Sequence, residues 1–193
     1  MSDPRLWPSP EAIWQAEADA VAAGEAPSLS GPWRLLLLGD GSPTRHLQSL
    51  TGLAVEVEVI AMADDPDPGR EAPAEVEELE RPLLRRQVWL RCGGDTLAWA
   101  ESWWNQHEAE LHLRQRSQPI WRSLTAERAE LYREVDGLAL VNAPALESGF
   151  GCPGPYWSRH YRFFRGGREL TVIREVFSPR LQSWLGPAEH IPS

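Results

Sequence analysis

The sequence is poor in the residues that build metal sites and disulfide frameworks. Only two cysteines, Cys92 and Cys152, occur among the 193 residues, and no CxxC pair or Cys/His cluster has the spacing of a zinc site. The five histidines share no metal-ligand spacing either. Two isolated cysteines are typical of reduced thiols inside a cell, so we expect a cytoplasmic protein without a metal or a disulfide.

Long apolar runs and basic segments are equally scarce. The longest leucine run covers residues 35–38, and no apolar run approaches the ~18 residues of a membrane span. The opening stretch MSDPRLWPSPEAIW lacks the basic head and apolar run of a signal peptide. The formal net charge is −9, and no basic stripe is present to neutralise phosphates. We therefore expect neither membrane insertion nor nucleic-acid binding.

The usual signatures of nucleotide and serine chemistry are missing as well. No nucleophile elbow or P-loop occurs, and the turn at Gly39, Asp40 and Gly41 lacks the further glycine and the helical context of a dinucleotide fingerprint. By contrast, apolar residues make up 42% of the chain, and ten residues are tryptophan. Tryptophans inside strand or helix patterns usually pack in the core, so we expect one domain with a sizeable core.

Turn residues and alternating hydrophobicity predict an α+β domain built on an antiparallel sheet. Residues 84–91 and 96–104 flank Cys-Gly-Gly-Asp, and residues 156–164 and 169–177 flank Arg-Gly-Gly-Arg. Glycine-containing turns between such runs predict two β-hairpins. Alternating valines predict a further strand over residues 54–60, and the β-α-β alternation of a parallel sheet is absent.

Helices are predicted between and before these strands. Helical spacing and capping residues predict them over residues 10–24, 44–50, 104–115 and 125–136. Residues 33–38 are interpreted as a first strand that leads into the Gly-Asp-Gly-Ser turn.

An acidic segment separates the predicted strands. Residues 64–80 are rich in Pro and Ala and have few large apolar side chains, which predicts a mobile, solvated connection with one weak helical turn. We divide the chain into an N-terminal helical extension and linker, one domain, and a C-terminal tail: residues 1–32, 33–186 and 187–193.

Arg86 is the first candidate site residue. Period two places it on one strand face with Val88 and Leu90, so the more apolar face carries an arginine. A buried guanidinium keeps its charge and needs an anionic partner. Two interpretations are open: a structural ion pair with Glu175 or Glu101, or a two-pronged grip on a substrate carboxylate.

Glu175 is the second candidate. It lies among Ile173, Val176 and Phe177, and an isolated carboxylate in such surroundings loses hydration and must find a partner. A buried salt bridge is one interpretation, and a general acid/base or a hydroxyl anchor is the other. The sequence does not separate them, because each requires a partner nearby in space.

Four segments together resemble the chorismate pyruvate-lyases, and look closest to the branch found in oxygenic photosynthetic bacteria. They are the LLLLGDGSPT turn, the LLRRQVWL strand, the PIWRSL segment and the WSRHYRFF…LTVIREVFSP hairpin. The hairpin is the most specific of the four, and the similarity covers residues 33–186. It implies a single domain with an antiparallel sheet of about six strands and helices packed around it.

The resemblance also implies an activity. This family removes enolpyruvate from chorismate to give 4-hydroxybenzoate and pyruvate, without a metal or organic cofactor, as a first step toward a quinone head group such as that of plastoquinone. Its carboxylate-binding arginine corresponds to Arg86 and its glutamate at the ring hydroxyl to Glu175, while apolar ring contacts correspond to Ile120 and Pro43. We accordingly expect a monomeric cytoplasmic lyase whose partners are chorismate and 4-hydroxybenzoate.

One departure leaves the second carboxylate of chorismate without an assigned partner. The ubiquinone-pathway relatives have a second arginine on the next strand, where this chain has Ser102. Arg159, Arg45 and His160 are candidates to replace it. We predict that Arg159 contacts the enolpyruvyl carboxylate, because it lies in the same hairpin as Glu175; stacking on neighbouring aromatic rings is the structural alternative.

Two other functions fit parts of the sequence. One is a non-catalytic sensor of aromatic carboxylates, since the effector domains of some bacterial regulators share this fold. A DNA-binding unit is then expected ahead of the sensor domain, and only 32 residues precede the matched region. A carbohydrate-binding module using exposed tryptophans is expected to be secreted. Turnover of chorismate without added metal separates the lyase from the sensor.

Overall fold

Seven antiparallel strands form one sheet in the computed structural model, which describes residues 5–24, 29–113, 120 and 132–189. The strands are β1 Glu11–Glu17, β2 Val55–Asp64, β3 Leu83–Cys92, β4 Asp95–Asn105, β5 Tyr132–Asn142, β6 Tyr156–Arg165 and β7 Arg168–Phe177. They pair in the order β1-β5-β6-β7-β4-β3-β2. The expected antiparallel α+β domain is confirmed, with one strand more than the six that the resemblance implied.

Short helices pack against this sheet. None of the described helices is long and apolar enough to cross a membrane. The α-helices are α1 Ala18–Ala22, α2 Gly31–Leu38, α3 Pro43–Thr51, α4 Gln106–His112, α5 Pro144–Phe150 and α6 Gln182–Leu185, and two 3₁₀ turns cover Ala74–Glu78 and Pro179–Leu181.

The two predicted hairpins are confirmed. β3 turns into β4 at the glycine pair 93–94, and β6 turns into β7 at the pair 166–167, with φ between 57° and 93° at all four positions. Glycine adopts positive φ without the steric cost of a Cβ, which suits two-residue hairpin turns. Because β4 pairs with both β3 and β7, the strands that carry Arg86 and Glu175 flank one central strand.

Alternation along the strands gives the sheet two buried faces. The site face carries Arg86 and Val88 of β3 and Glu175 of β7. It is covered by α2 and α3, whose Leu37 and Leu47 are fully buried in the same core cluster as Val88. The site face therefore lies under a helical layer.

The opposite face holds a charged network instead. Glu101 of β4 accepts hydrogen bonds from Arg85 of β3 (Nε to Oε2, 2.9 Å) and from Arg174 of β7 (Nε to Oε1, 2.7 Å). All three side chains are at most 8% exposed. Ser9, close to the N-terminus, also accepts from Arg85 at 2.8 Å, so the N-terminal segment packs on this face.

The prediction of one helix over residues 10–24 is wrong. Residues 11–17 form β1, which pairs with β5 at the edge of the sheet, and only Ala18–Ala22 is helical. Trp14 lies edge-on to Trp157 of β6, with ring centroids 5.8 Å apart. Pairing with an existing edge satisfies the backbone and outweighs the weak local helix preference.

Residues 33–38 are also helical, not a strand. α2 begins with Pro32 in its first turn and ends before Gly39. Trp33, Leu36 and Leu37 are buried, which is the i, i+3, i+4 spacing of one helix face. An uninterrupted apolar run fits either structure by periodicity, and Pro32 in the first turn fits a helix start.

The predicted helix over residues 125–136 fails where the structure describes it. Residues 132–136 belong to β5, which pairs with β6 from Tyr132 to Val141. The remainder of that prediction, over 125–131, lies outside the described residues. β4 extends to Asn105, so the helix predicted over residues 104–115 begins two residues later, as α4; residues 114–115 lie outside the described residues.

The acidic segment 64–80 is partly packed. Asp65, Val76 and Leu79 are at most 6% exposed, and Asp65 Oδ2 accepts a hydrogen bond from Trp103 Nε1 at 3.0 Å. Its predicted helical turn is the 3₁₀ turn Ala74–Glu78. The mobility of this segment and the boundaries set at residues 32 and 186 stay predictions.

Candidate active site

A cavity on the site face brings the candidate residues together. Its atom-free space is about 490 Å³, with the open mouth included. Most of its lining is apolar, with a few polar and charged groups. The residues that line it are Ser42, Pro43, Thr44, Val57, Arg86, Val88, Leu90, Ala100, Glu101, Ser102, Ile120, Arg133, Tyr161, Phe163, Ile173 and Glu175.

Four of the five predicted site residues line this cavity. Arg86 and Glu175 come from the sheet, Pro43 from the start of α3, and Ile120 from the stretch between β4 and β5. Arg159, the fifth, is not among the lining residues. Of the other candidates for the second carboxylate, Arg45 is exposed on α3, and His160 lies on the opposite face beside Glu75 (Nε2 to Oε2, 3.3 Å).

Arg86 presents a buried charge to the cavity. The residue is 2% exposed and lies opposite Ser102 of β4 in the sheet. Burial lowers the pKa of its guanidinium to about 10, so the group stays charged at neutral pH. A charge with so little solvation favours an anionic ligand, which replaces the lost interaction with water.

Glu175 is held on both carboxylate oxygens. Oε2 accepts a hydrogen bond from Arg159 Nε at 2.8 Å, and Oε1 accepts one from the Tyr161 hydroxyl at 2.6 Å. The residue is 1% exposed. Burial, and next the charge of Glu175, raise the pKa of Tyr161 well above its usual range, so this hydroxyl stays protonated and remains a donor.

Arg159 holds the Glu175 carboxylate without itself lining the cavity. While its Nε donates to Glu175, its Nη1 donates to the carbonyl oxygens of Leu36 and Gly39 at 2.8 and 2.7 Å, at the end of α2. Its Cζ lies 5.3 Å from the centroid of the Tyr161 ring. A cation at a helix C-terminus meets unpaired carbonyls and the negative end of the dipole. Arg159 thus joins β6, β7 and α2; its contact with a substrate carboxylate stays a prediction.

The two acids considered as partners of Arg86 each form ion pairs with other arginines. Glu175 is paired with Arg159 on the site face, and Glu101 with Arg85 and Arg174 on the opposite face. The neighbouring strands therefore supply cations that the one-strand pattern could not reveal.

Arg133 is a charged lining residue that sequence reasoning missed. Its Nη1 donates to the carbonyl oxygens of Asp40 and Gly41. Its Cζ lies 4.6 and 4.5 Å from the ring centroids of Tyr161 and Phe163. Sequence reasoning assigned Arg133 to a predicted helix and therefore gave it no strand face. Its two-residue spacing from Val135 is the signal that could have placed both on the site face of a strand.

A possible metal-ligand group lies away from this cavity. Among the described residues, Glu75, Asp136 and His160 bring ligand atoms within 4.8 Å of one another. They lie on the opposite face, and Arg162 already donates to both oxygens of Asp136. This group is therefore separate from Arg86 and Glu175, and Asp136 already has a cationic partner in Arg162.

Comparison with known proteins gives one family match and several relatives. Residues 37–185 match the family model described as chorismate pyruvate-lyase Rv2949c-like. The chain is 28% identical over 171 residues to the "uncharacterized protein ycf21" of Cyanophora paradoxa, covering 88% of this chain and 89% of that protein. It is 32% identical over 155 residues to the ycf21 protein of Porphyra purpurea, covering 79% and 83%.

Solved structures with a similar fold include an effector domain and a transcriptional regulator. The effector domain of PhnF from Mycobacterium smegmatis aligns with a TM-score of 0.56 at 15% identity, over 75% of this chain and 92% of that one. A putative GntR-family transcriptional regulator aligns with a TM-score of 0.52 at 16% identity, over 80% and 68%. At such identities the likeness concerns the fold alone.

Proposed function

The chain belongs to the Rv2949c-like chorismate pyruvate-lyase family, and from this premise we propose that it eliminates enolpyruvate from chorismate to give 4-hydroxybenzoate and pyruvate. The observation that carries the proposal is the single cavity lined by both Arg86 and Glu175. An apolar cavity with a cation on one side and a hydrogen-bonded carboxylate on the other suits an aromatic acid that carries a hydroxyl.

The strand register supports the spacing that such a ligand needs. Arg86 pairs with Ser102 and Glu175 pairs with Ala100, so the two residues lie two strands and two positions apart. With strands about 4.8 Å apart and a rise of about 3.3 Å per residue, their Cα atoms are about 12 Å apart. Two side chains reaching inward from that separation leave room for one ring between them.

Each end of the substrate then has a matching group. The guanidinium of Arg86 grips the ring carboxylate with two parallel hydrogen bonds. Glu175 faces the opposite end of the ring, at C4 and its hydroxyl. The apolar residues Pro43, Ile120 and Ile173 line the same cavity and exclude water from the ring.

The reaction requires the protein mainly to position the substrate and to accept a proton. The bond between ring C3 and the ether oxygen breaks, C4 loses its proton, and the ring becomes aromatic. The released enolpyruvate takes up a proton at its methylene carbon and becomes pyruvate. Holding one reactive conformer and supplying a proton acceptor therefore suffices.

Glu175 is the group positioned to act on the proton. Arg159 and Tyr161 hold one oxygen each, which fixes the carboxylate plane. Two roles follow from this position, acceptance of the C4 proton or anchoring of the C4 hydroxyl, and the kinetic split described in the Discussion separates them. We propose that no metal or organic cofactor takes part, and that the product feeds the head group of a quinone such as plastoquinone.

A turnover assay tests the proposal. Purified protein is incubated with chorismate in buffer containing a chelator, 4-hydroxybenzoate is measured by chromatography, and pyruvate is measured by a coupled reductase. We expect both products in a one-to-one ratio, with a rate unchanged by the chelator. Tight binding of 4-hydroxybenzoate without any turnover would favour the sensor, the alternative compatible with the same fold.

A further inference from the structure

A second arginine lies in the cavity on the far side of Glu175 from Arg86. The sheet order places β7 between β5 and β3, and Arg133 of β5, Glu175 of β7 and Arg86 of β3 line one cavity. A ligand lying over Glu175 therefore has a cation on each side. This arrangement matches an anion with two separated negative groups.

The structure fixes Arg133 in place without using all of its donors. Nη1 is bound to the carbonyl oxygens of Asp40 and Gly41, and the guanidinium lies against Tyr161 and Phe163. Its Nε is buried and, among the described residues, has no hydrogen-bond partner. Native structures rarely leave a buried donor without an acceptor, so this one indicates an acceptor supplied by a ligand.

The surroundings add further positive potential at this end. The residues Ser42, Pro43 and Thr44, at the N-terminus of α3, line the same cavity. A helix N-terminus carries partial positive charge and exposed N–H groups. A carboxylate beside Arg133 would thus meet the helix end as well as the guanidinium.

We propose that Arg133 binds the second carboxylate of the substrate, the one on the enolpyruvyl ether, and thereby selects dianions over monoanions. The proposal rests on the proposed lyase function and names Arg133 in the role predicted above for Arg159. The geometry separates the two arginines: Arg133 lines the cavity, whereas Arg159 donates to Glu175 and to α2 carbonyls. Release of the ether carboxylate as pyruvate then leaves Arg86 as the cationic contact with the product.

The test uses a pair of unreactive ligands that differ in one carboxylate. Binding of 3-(carboxymethoxy)-4-hydroxybenzoate, a dianion, and of 3-methoxy-4-hydroxybenzoate, a monoanion, is measured by calorimetry. We expect the wild type to prefer the dianion and Arg133→Gln to lose about tenfold or more in dianion affinity. The affinity of this variant for the monoanion should change less than about threefold, which also shows that it is folded.

Matched variants complete the design. Arg168→Gln removes the same charge from an exposed position at the β6–β7 turn and should leave both affinities unchanged. If Arg133→Gln binds neither ligand, Arg133→Lys is used: recovery of both monoanion binding and the dianion preference supports the proposal, and any other result overturns it.

Three further outcomes overturn the proposal: no dianion preference in the wild type, an equal partial loss of both affinities in an Arg133→Gln variant that still binds both ligands, or a selective loss of dianion affinity only in Arg159→Gln. Because neither ligand can react, these outcomes do not depend on turnover. Failure of the proposed lyase function would show separately, as an absence of products from chorismate.

Discussion

Three charged side chains line the cavity: Arg86 and Glu175 are buried, and Arg133 is half-buried. Glu175 has two hydrogen-bonded partners, Arg133 has backbone carbonyls and aromatic rings, and Arg86 has a largely apolar cavity beside it. Buried charges destabilise a fold unless they are compensated. Under the proposed function, a substrate carboxylate at Arg86 adds to this compensation.

Glu175→Gln separates the two roles open to this residue. The substitution keeps the size of the side chain and one hydrogen-bond acceptor but removes the charge. If Glu175 accepts the C4 proton, kcat should fall by roughly 10²–10⁴ with little change in substrate affinity. If it only anchors the hydroxyl, affinity should weaken more than kcat. Steady-state kinetics with chorismate distinguish these results, and an unaffected rate would leave Glu175 a structural residue.

Arg159→Gln should damage the fold more than the binding specificity. The change leaves the carboxylate of Glu175 buried without its cation and removes the donor to Leu36 and Gly39. Breaking one side of a buried pair costs about 3–5 kcal/mol of unfolding free energy, which urea denaturation measures. A variant of unchanged stability that loses affinity for chorismate alone, with 4-hydroxybenzoate affinity intact, would instead support a direct contact with the second carboxylate.

At the scale of elements, the chain shows which features local sequence can predict. The hairpins were predictable because glycine pairs between alternating runs leave few other solutions. Strands β1 and β5 were not predictable, because residues 10–24 and 125–136 also have helical spacing. Pairing with a neighbouring strand decided the structure of β1 and β5. The same reason explains which site residues could be predicted. Arg86 and Glu175 lie on strands that the sequence predicts, whereas Arg133 lies in a segment that the sequence predicts as a helix.

The segment from Asp65 to Leu79 gives a prediction at this scale. Asp65 accepts from Trp103 and lies 3.9 Å from an Arg85 nitrogen, so it attaches the segment to the opposite face. Asp65→Ala should lower the unfolding free energy by about 2 kcal/mol, since it leaves the buried indole N–H without an acceptor. Asp67→Ala, at an exposed position in the same segment, is the control. Equal stability of the two variants would show that the attachment contributes nothing.

At the scale of the whole molecule, the two faces of the sheet carry different charged groups. The site face carries the cavity, and the opposite face carries the network around Glu101 together with the acidic group near Glu75. An acid in the latter region, Glu169 of β7, has a buried Oε1 without a hydrogen-bond partner among the described residues. Burial, and then the nearby Glu78 and Asp136, raise its pKa to about 7 despite the charge of Arg162.

This raised pKa predicts a pH-dependent stability. The folded state keeps the Glu169 proton up to about pH 7, whereas the unfolded state releases it near 4.5, so ionisation lowers stability as pH rises through this interval. Glu169→Gln removes that loss. The unfolding free energy of the variant relative to the wild type should grow between pH 5 and pH 8 by about 1 kcal/mol, after allowance for solvent screening. Parallel pH profiles for the two proteins would contradict the assignment.

The central claim is that chorismate is converted in this cavity with its ring carboxylate on Arg86. The most direct test compares chorismate turnover by the wild type with that of Arg86→Lys. We expect the wild type to form 4-hydroxybenzoate and pyruvate, and the lysine variant to remain folded but lose about 100-fold or more in kcat/KM, because an ammonium does not reproduce the two-pronged contact. Near-normal turnover in Arg86→Lys, or no products from the wild type, would contradict the account.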